Sequence, residues 1–282
     1  MKLEQTPRLS VEPQREYRIA KLIESMRDQR IREFRDKLNQ GFVVGPFSKT
    51  SDPAFIEIMG HGGFDFVILD LEHGPTSVQH LQHLIRAAEV SGILPIVRVK
   101  EHNLSVIGEV LDIGAGGIQA PQITNAQTAR DVVQAAKFSP AGMRGVCRFV
   151  RAANYSAMDR FEYFRAANEA IVIAQLEGKE ALAHFEEIIT VPGVDIIFIG
   201  PYDLSQSLGV AGQINHPMVT ETIKGIVAKC LQRGVTVGTF VDTAVDAKKW
   251  RDLGVKYLCY SVDVGIFYEK CKADVEAVRG AN

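Results

Sequence analysis

The chain has 282 residues, 46% of them hydrophobic and 23% charged, which is enough to bury a full core and lies outside the composition of disordered segments. Its 32 Lys+Arg against 34 Asp+Glu give a formal net charge of −2, leaving no field strong enough to draw nucleic acid or an anionic membrane. No apolar run reaches the ~18 residues of a spanning helix and the N-terminus lacks an apolar secretory core, so a cytoplasmic protein is expected. Cys147, Cys230, Cys259 and Cys271 have no CxxC spacing and read as reduced thiols, not as a disulfide framework or a zinc site.

Residues 1–40 are dense in charge, with Ile19, Leu22, Ile23, Met26, Phe34 and Leu38 at roughly helical spacing. They predict one amphipathic helix from Tyr17 to Asn39, ended by Gly41, lying across one end of the main domain or against a neighbouring subunit. Residues 41–282 form the main domain. Its apolar runs Phe42–Phe47, Asp65–Leu71, Leu94–Val99, Gly116–Pro121, Ala170–Leu176, Val194–Gly200, Val235–Phe240 and Lys256–Ser261 lack polar alternation, as strands buried on both faces do. Helical patterns fall between them at Ser77–Val90, Leu104–Ile113, Ala126–Ala136, Met218–Arg233 and Thr243–Leu253, with Gly92, Gly114, Gly234 and Gly254 at C-cap positions. Eight β-then-α units in order predict an α/β fold, a (β/α)8 TIM barrel, in preference to a doubly wound sheet, since no glycine-rich fingerprint follows the first strand. Ser139–Asp159 is the longest irregular stretch and is expected to be a lid or rim segment.

In such a barrel the chemistry gathers where strands end. Strand two ends in Asp70-Leu71-Glu72-His73, strand three in Arg98, strand four in Gln119 and Gln122, strand five in Gln175 and Glu177, and strand six in Gly200-Pro201-Tyr202-Asp203, with Asp242, Ser261 and Asp263 after the last two. Glu177 and Asp203 leave adjacent strands on one face and suit a hard divalent cation that keeps positions open for substrate; equally, Asp203 could cap a helix and Glu177 could be a first-turn charge. Asp70 could fix the tautomer of His73 and make it a general base; Glu72 could be the partner instead, but is expected to point away by strand alternation. Arg98 ends an apolar strand, so its guanidinium must face the barrel mouth. His80 and His83, on the outer helix ring, and His61, in a turn, read as solvent or packing residues. Phe240 and Val241, with residues of 139–159, are the expected acceptor pocket.

The motifs IxGPYDLSxSLG, DLEHGP and SPAGMRGV resemble the HpcH/HpaI family of class II pyruvate aldolases over roughly Gly41 to Ala277. The resemblance implies that Glu177 and Asp203 bind a divalent metal, Mg²⁺, Mn²⁺ or Co²⁺, with no organic cofactor. It further implies that Asp70 and His73 form the base dyad and Arg98 the substrate arginine, and that Gly200, Pro201, Tyr202 and Asp203 hold the pyruvate carboxylate, with Gln175 in the same substrate site. The activity implied is cleavage or formation of a C–C bond between pyruvate, as its enolate, and an aldehyde. The same enolate could have another fate, such as oxaloacetate decarboxylation, and a Schiff-base aldolase or a non-catalytic binding module are the further rivals. Three positions depart from the family: Pro46-Phe47-Ser48-Lys49 stands where a tryptophan is frequent, Ala120-Pro121-Gln122 replaces Val-Pro-Met, and Tyr202 replaces a small residue. The resemblance also implies a homo-hexamer, a trimer of dimers, in which the last helix, Val264 to Val278, sets Ile266, Phe267, Tyr268, Cys271 and Val275 against a neighbouring subunit.

Overall fold

A computed structural model describes residues 26–100 and 103–280. Eight parallel strands close a barrel in chain order: β1 (Val43–Ser48), β2 (Phe66–Asp70), β3 (Leu94–Arg98), β4 (Gly117–Ala120), β5 (Ile171–Leu176), β6 (Ile196–Ile199), β7 (Thr236–Val241) and β8 (Tyr257–Val262). The helices α2 (Pro53–His61), α3 (Val78–Ser91), α4 (Leu104–Asp112), α5 (Ala126–Ala136), α6 (Arg160–Ala167), α7 (Lys179–Ala183), α8 (Phe185–Ile188), α9 (Pro201–Ser207), α10 (Pro217–Gln232) and α11 (Ala244–Asp252) lie between them. Each strand touches a helix outside and the barrel lumen inside, which is why its sequence reads as an unbroken apolar run. The outer layer packs residues such as Val67, Leu69, Ile85, Val97, Ile118, Val172 and Ile197 against the helices. The lumen holds Ile68, Ile96, Ile173, Ile196, Phe198 and Tyr257. Local signals set the element ends: Ser77 caps α3, Asn125 and Thr128 form a reciprocal capping box on α5, and Gly92 closes α3 in a left-handed conformation.

The charged helix α1 (Met26–Gln40) precedes β1; the predicted start of this helix, residues 17–25, lies outside the described residues. Ile31, Phe34 and Leu38 join the lumen cluster from below, with the Phe34 ring edge-on to Phe66 at 5.9 Å and to Tyr257 at 6.2 Å. Arg35 pairs with Asp195 at 2.7 Å and Lys37 with Asp65 at 2.5 Å, so ion pairs on both sides of the buried stripe hold the helix across the strands' N-terminal end. The barrel has a floor.

One expectation about the periphery needs correction. Ser139–Asp159 is not at the active rim: it follows α5 and precedes β5, and such a helix-to-strand connection lies at the floor end. There Arg151 pairs with Glu89 and Arg144 with Asp112 at the tails of α3 and α4. Among the described residues none from this segment lines the cavity at the opposite end. The final helix, α12 (Asp263–Arg279), buries only Asp263. Phe267 meets Phe55 edge-on at 6.0 Å, yet Phe267, Tyr268 and Val275 remain exposed, so the chain's own barrel does not cover the stripe.

Candidate active site

A cavity of about 310 Å³ opens where the strands end, lined by side chains from β1, β3, β5, β6, β7 and β8 and from the turns after β1, β2 and β6. Its walls divide by chemistry. Phe47, Phe198, Phe240 and Val262 make an apolar side, and Lys49, His73, Arg98, Gln175 and Asp203 make a polar one.

Asp70 and Arg98 form the polar core. Their strands are adjacent and in register, Asp70 opposite Arg98, which places carboxylate and guanidinium side by side. Arg98 Nε donates to Asp70 Oδ1 at 2.8 Å and Nη2 to Oδ2 at 2.7 Å, a bidentate pair in which Asp70 is fully buried. Burial pushes the Asp70 carboxyl up, but the hydrogen bonds and charge of Arg98, the backbone N–H of His73 and the charge of Lys49 outweigh it and hold it below the ordinary carboxylate range. Arg98 Nη1 lies 3.0 Å from Glu72 Oε2, and its guanidinium carbon sits 4.7 Å over the Phe47 ring.

Here the sequence expectation about the dyad is corrected. Asp70 Oδ1 accepts the backbone N–H groups of Glu72, at 3.0 Å, and His73, at 3.3 Å, while its oxygens are otherwise held by Arg98. Asp70 therefore builds the turn that carries His73 and does not grip its ring. The carboxylate nearest the ring is that of Glu72, Oε2 to Nε2 3.9 Å. Glu72 does not point away because the chain is no longer extended after Asp70: the Asx-type turn ends the alternation on which that expectation rested. Gly74 is required by the same turn, since a Cβ there would fall 2.2 Å from the Asp70 carbonyl oxygen.

Glu177 and Asp203 converge from β5 and α9. A Cβ added at Gly200 would lie 3.2 Å from Glu177 Oε2 and 3.8 Å from Asp203 Oδ2, so the missing side chain leaves a space that both carboxylates border. Glu177 is held at both oxygens, Oε1 by the Gln122 backbone N–H at 2.8 Å and Oε2 by Gln175 Nε2 at 2.6 Å. Gln122 adopts a left-handed φ of 54° to make its contact, the kind of strained backbone that a site tolerates. Burial pushes the Glu177 carboxyl up; Gln175 and Gln122 oppose this, and the charges of Asp203 and Glu72 add to it, with a raised value as the net result. Two carboxylates bordering a gap suit a hard divalent cation, which would relieve that repulsion and keep positions for water and substrate. Among the described residues no group of three or more His, Cys, Asp or Glu side chains is placed to hold a metal, so these two would be its protein ligands.

Tyr202 stands at the mouth, its hydroxyl donating to Asp242 Oδ2 at 2.9 Å and its ring edge-on to Phe240 at 5.9 Å. Burial, then the hydrogen bond and charge of Asp242, push the Tyr202 hydroxyl up to about 12, so it stays protonated. Phe240 faces the cavity as expected, but Val241, the next residue of β7, faces the helices and is buried there.

Sequence reasoning passed over Lys49, whose ammonium lies 3.6 Å from Asp70 Oδ2 at the cavity wall, and the part played by Asp263. The Asp263 carboxylate, at the root of α12, accepts from Ser48 Oγ at 2.8 Å, from Thr50 Oγ1 at 2.9 Å and from the backbone N–H groups of Lys49 and Thr50 at 3.0 Å. A charged residue directly after a buried strand was the available signal in both cases.

Residues 44–269 match the model of a family described as HpcH/HpaI aldolase/citrate lyase. The chain belongs to that family. A 2-dehydro-3,6-dideoxy-6-sulfogluconate aldolase of Pseudomonas putida is 31% identical over 242 residues, covering 86% of this chain and 94% of that protein. A hydroxypyruvate/pyruvate aldolase of Cupriavidus necator is 32% identical over 226 residues, covering 79% and 83%. The crystal structure of an HpcH/HpaI aldolase/citrate lyase family protein from Burkholderia cenocepacia J2315 superposes with a TM-score of 0.82 at 30% identity, covering 90% of this chain and 98% of that one. As an HpcH/HpaI member the protein is a carbon–carbon lyase of the class II aldolase type. No described helix is long and apolar enough to cross a membrane.

Proposed function

We propose that the protein cleaves 4-hydroxy-2-oxo acids to pyruvate and an aldehyde, and runs the reverse addition, with Glu177 and Asp203 as the protein ligands of Mg²⁺, Mn²⁺ or Co²⁺. The observation that carries this reading is the convergence of those two carboxylates on the gap at Gly200, beside the arginine of the same cavity. When bound, the cation supplies Lewis acidity to the developing enolate charge, a contribution of several kcal/mol.

The chain's own groups do the rest. Arg98, oriented by Asp70 and Glu72, keeps N–H groups for the 2-oxo acid, and a donor of this kind aimed at a developing oxyanion contributes ~2.7–4 kcal/mol. The substrate carboxylate sits against Gly200, Pro201 and Tyr202, where the first-turn N–H groups of α9 have no partner inside the helix. Gln175 borders the same space. His73 at the mouth takes the proton of the 4-hydroxyl; the C3–C4 bond breaks, its electron pair forms the enolate, and protonation at C3 releases pyruvate. The departing aldehyde lies along Phe47, Phe240 and Val262.

The reading includes a homo-hexamer, supported by the exposed row Phe267, Tyr268, Val275 and Val278 on α12. A screen of the metal-loaded protein with pyruvate and varied aldehydes, with oxaloacetate as a separate substrate, tests the activity. EDTA should abolish turnover, and borohydride with pyruvate should leave no adduct. Trapping on Lys49, the lysine that lines the cavity, would overturn the metal mechanism in favour of a Schiff base.

A further inference from the structure

Gln119 is a fully buried amide inside the barrel, in a lumen otherwise built from residues such as Ile68, Ile96, Ile173 and Phe198. A polar group is costly there unless it is paired, so its partners show what it is held for. Its Nε2 donates to Gln175 Oε1 at 2.5 Å, and the Tyr257 hydroxyl lies 3.5 Å from its Oε1. Gln175 Nε2 in turn donates to Glu177 Oε2 at 2.6 Å.

The polarity of this chain is fixed from one end. Glu177, in the ionised form that holds a cation, only accepts, so Gln175 must turn its NH2 towards it and its carbonyl oxygen away. That carbonyl then requires a donor inside the lumen, and the only groups Gln119 offers that can serve are its amide N–H bonds. With the Gln119 amide so directed, its own oxygen faces the Tyr257 hydroxyl, which burial keeps protonated and able to donate. If the Gln175 amide turned over, oxygen would face the Glu177 carboxylate and two NH2 groups would face each other.

We infer that Gln119 is a positioning residue for the metal site: by holding the Gln175 carbonyl, it locks that amide in the orientation that presents Glu177 Oε2 to the gap at Gly200. The inference rests on the reading of Glu177 as a metal ligand and adds to it a partner two hydrogen bonds removed, on a different strand. Gln119 touches neither the cavity nor the substrate. Its effect passes through Gln175.

The test is Mn²⁺ binding to the full-length protein, read by the electron paramagnetic resonance of free Mn²⁺, with thermal unfolding measured alongside. Gln119→Met keeps the volume and removes the donor; it should raise the Mn²⁺ dissociation constant by about tenfold, the lower end of the ~10–100-fold that partners of metal ligands contribute. In a Gln175→Met background, Gln119→Met should add nothing further. Wild-type Mn²⁺ binding by a folded Gln119→Met protein, or an equal tenfold loss in the Gln175→Met background, would overturn the inference. Should Gln119→Met fail to fold, Gln119→Leu carries the same expectation and the same power to refute. Asp203→Asn separates the two levels. If it binds Mn²⁺ like the wild type, the metal reading falls and this inference with it, whereas normal binding by the Gln119 variant alone removes only the inference.

Discussion

Asp70 is the residue on which the polar wall turns, because its two oxygens serve a guanidinium and a backbone turn at once. Asp70→Asn would leave Arg98 buried with half its pairing, and breaking a buried pair in this way costs about 3–5 kcal/mol. Urea unfolding should show that loss at pH 7. Its pH dependence has a definite sign: the folded carboxyl is held below its unfolded value, so its stabilisation is complete above about pH 4 and disappears as pH falls through the lower, folded value. The gap in stability between wild type and Asp70→Asn should therefore be constant from pH 7 to about 5 and narrow on further acidification. His73→Ala should lower kcat by about 10²–10⁴ with pyruvate binding nearly unchanged, since a base acts on the transition state while Arg98 and the carboxylates hold the substrate. A loss confined to pyruvate affinity would remove His73 from that role. Glu177→Gln and Asp203→Asn should each abolish turnover and weaken Mn²⁺ binding while far-UV circular dichroism stays that of the wild type. The types of these residues were legible in the sequence because strand ends in a barrel must carry them. Their pairing was not: whether Asp70 holds an imidazole or a guanidinium depends on the register of β2 against β3 and on a turn of three residues, neither of which has a periodic signature.

Among the elements, the strands were the most legible and the connections the least. A strand buried on both faces leaves a short, unbroken run rich in Val, Ile and Phe, and all eight strands fall where those runs lie. The irregular segment 139–159 has no such mark, and its place at the floor follows from topology alone. Helix α1 is the element whose loss should be felt most widely. Phe34 is buried against Phe66 and Tyr257, and Phe34→Ala should destabilise the fold by about 3–5 kcal/mol through the cavity it leaves. The same change on α12, Phe267→Ala, removes a half-exposed ring and should cost an isolated chain far less. Comparison of their guanidinium midpoints checks both.

At the scale of the molecule, the exposed apolar row on α12 is the feature a lone chain leaves unsatisfied. Light scattering at micromolar concentration should give a hexamer. Truncation just after Gly265 should dissociate it; the cut must spare Asp263, because that carboxylate also ties down Ser48, Lys49 and Thr50 at the cavity wall. A monomeric full-length chain would refute the assembly.

The floor laid by α1 also decides the traffic of the reaction. With Ile31, Phe34 and Leu38 closing the lumen from below, the described residues leave the cavity open at the strands' C-terminal end, and both products are expected to depart by that mouth. The fragment seated against Arg98 and the paired carboxylates has to wait for the one lying along Phe47, Phe240 and Val262. Cleavage should thus be kinetically ordered, aldehyde first and pyruvate last. Steady-state inhibition reads this directly: pyruvate should compete with the 4-hydroxy-2-oxo acid, the aldehyde should inhibit noncompetitively, and the reverse of that pattern would mean that the chamber empties by a second route.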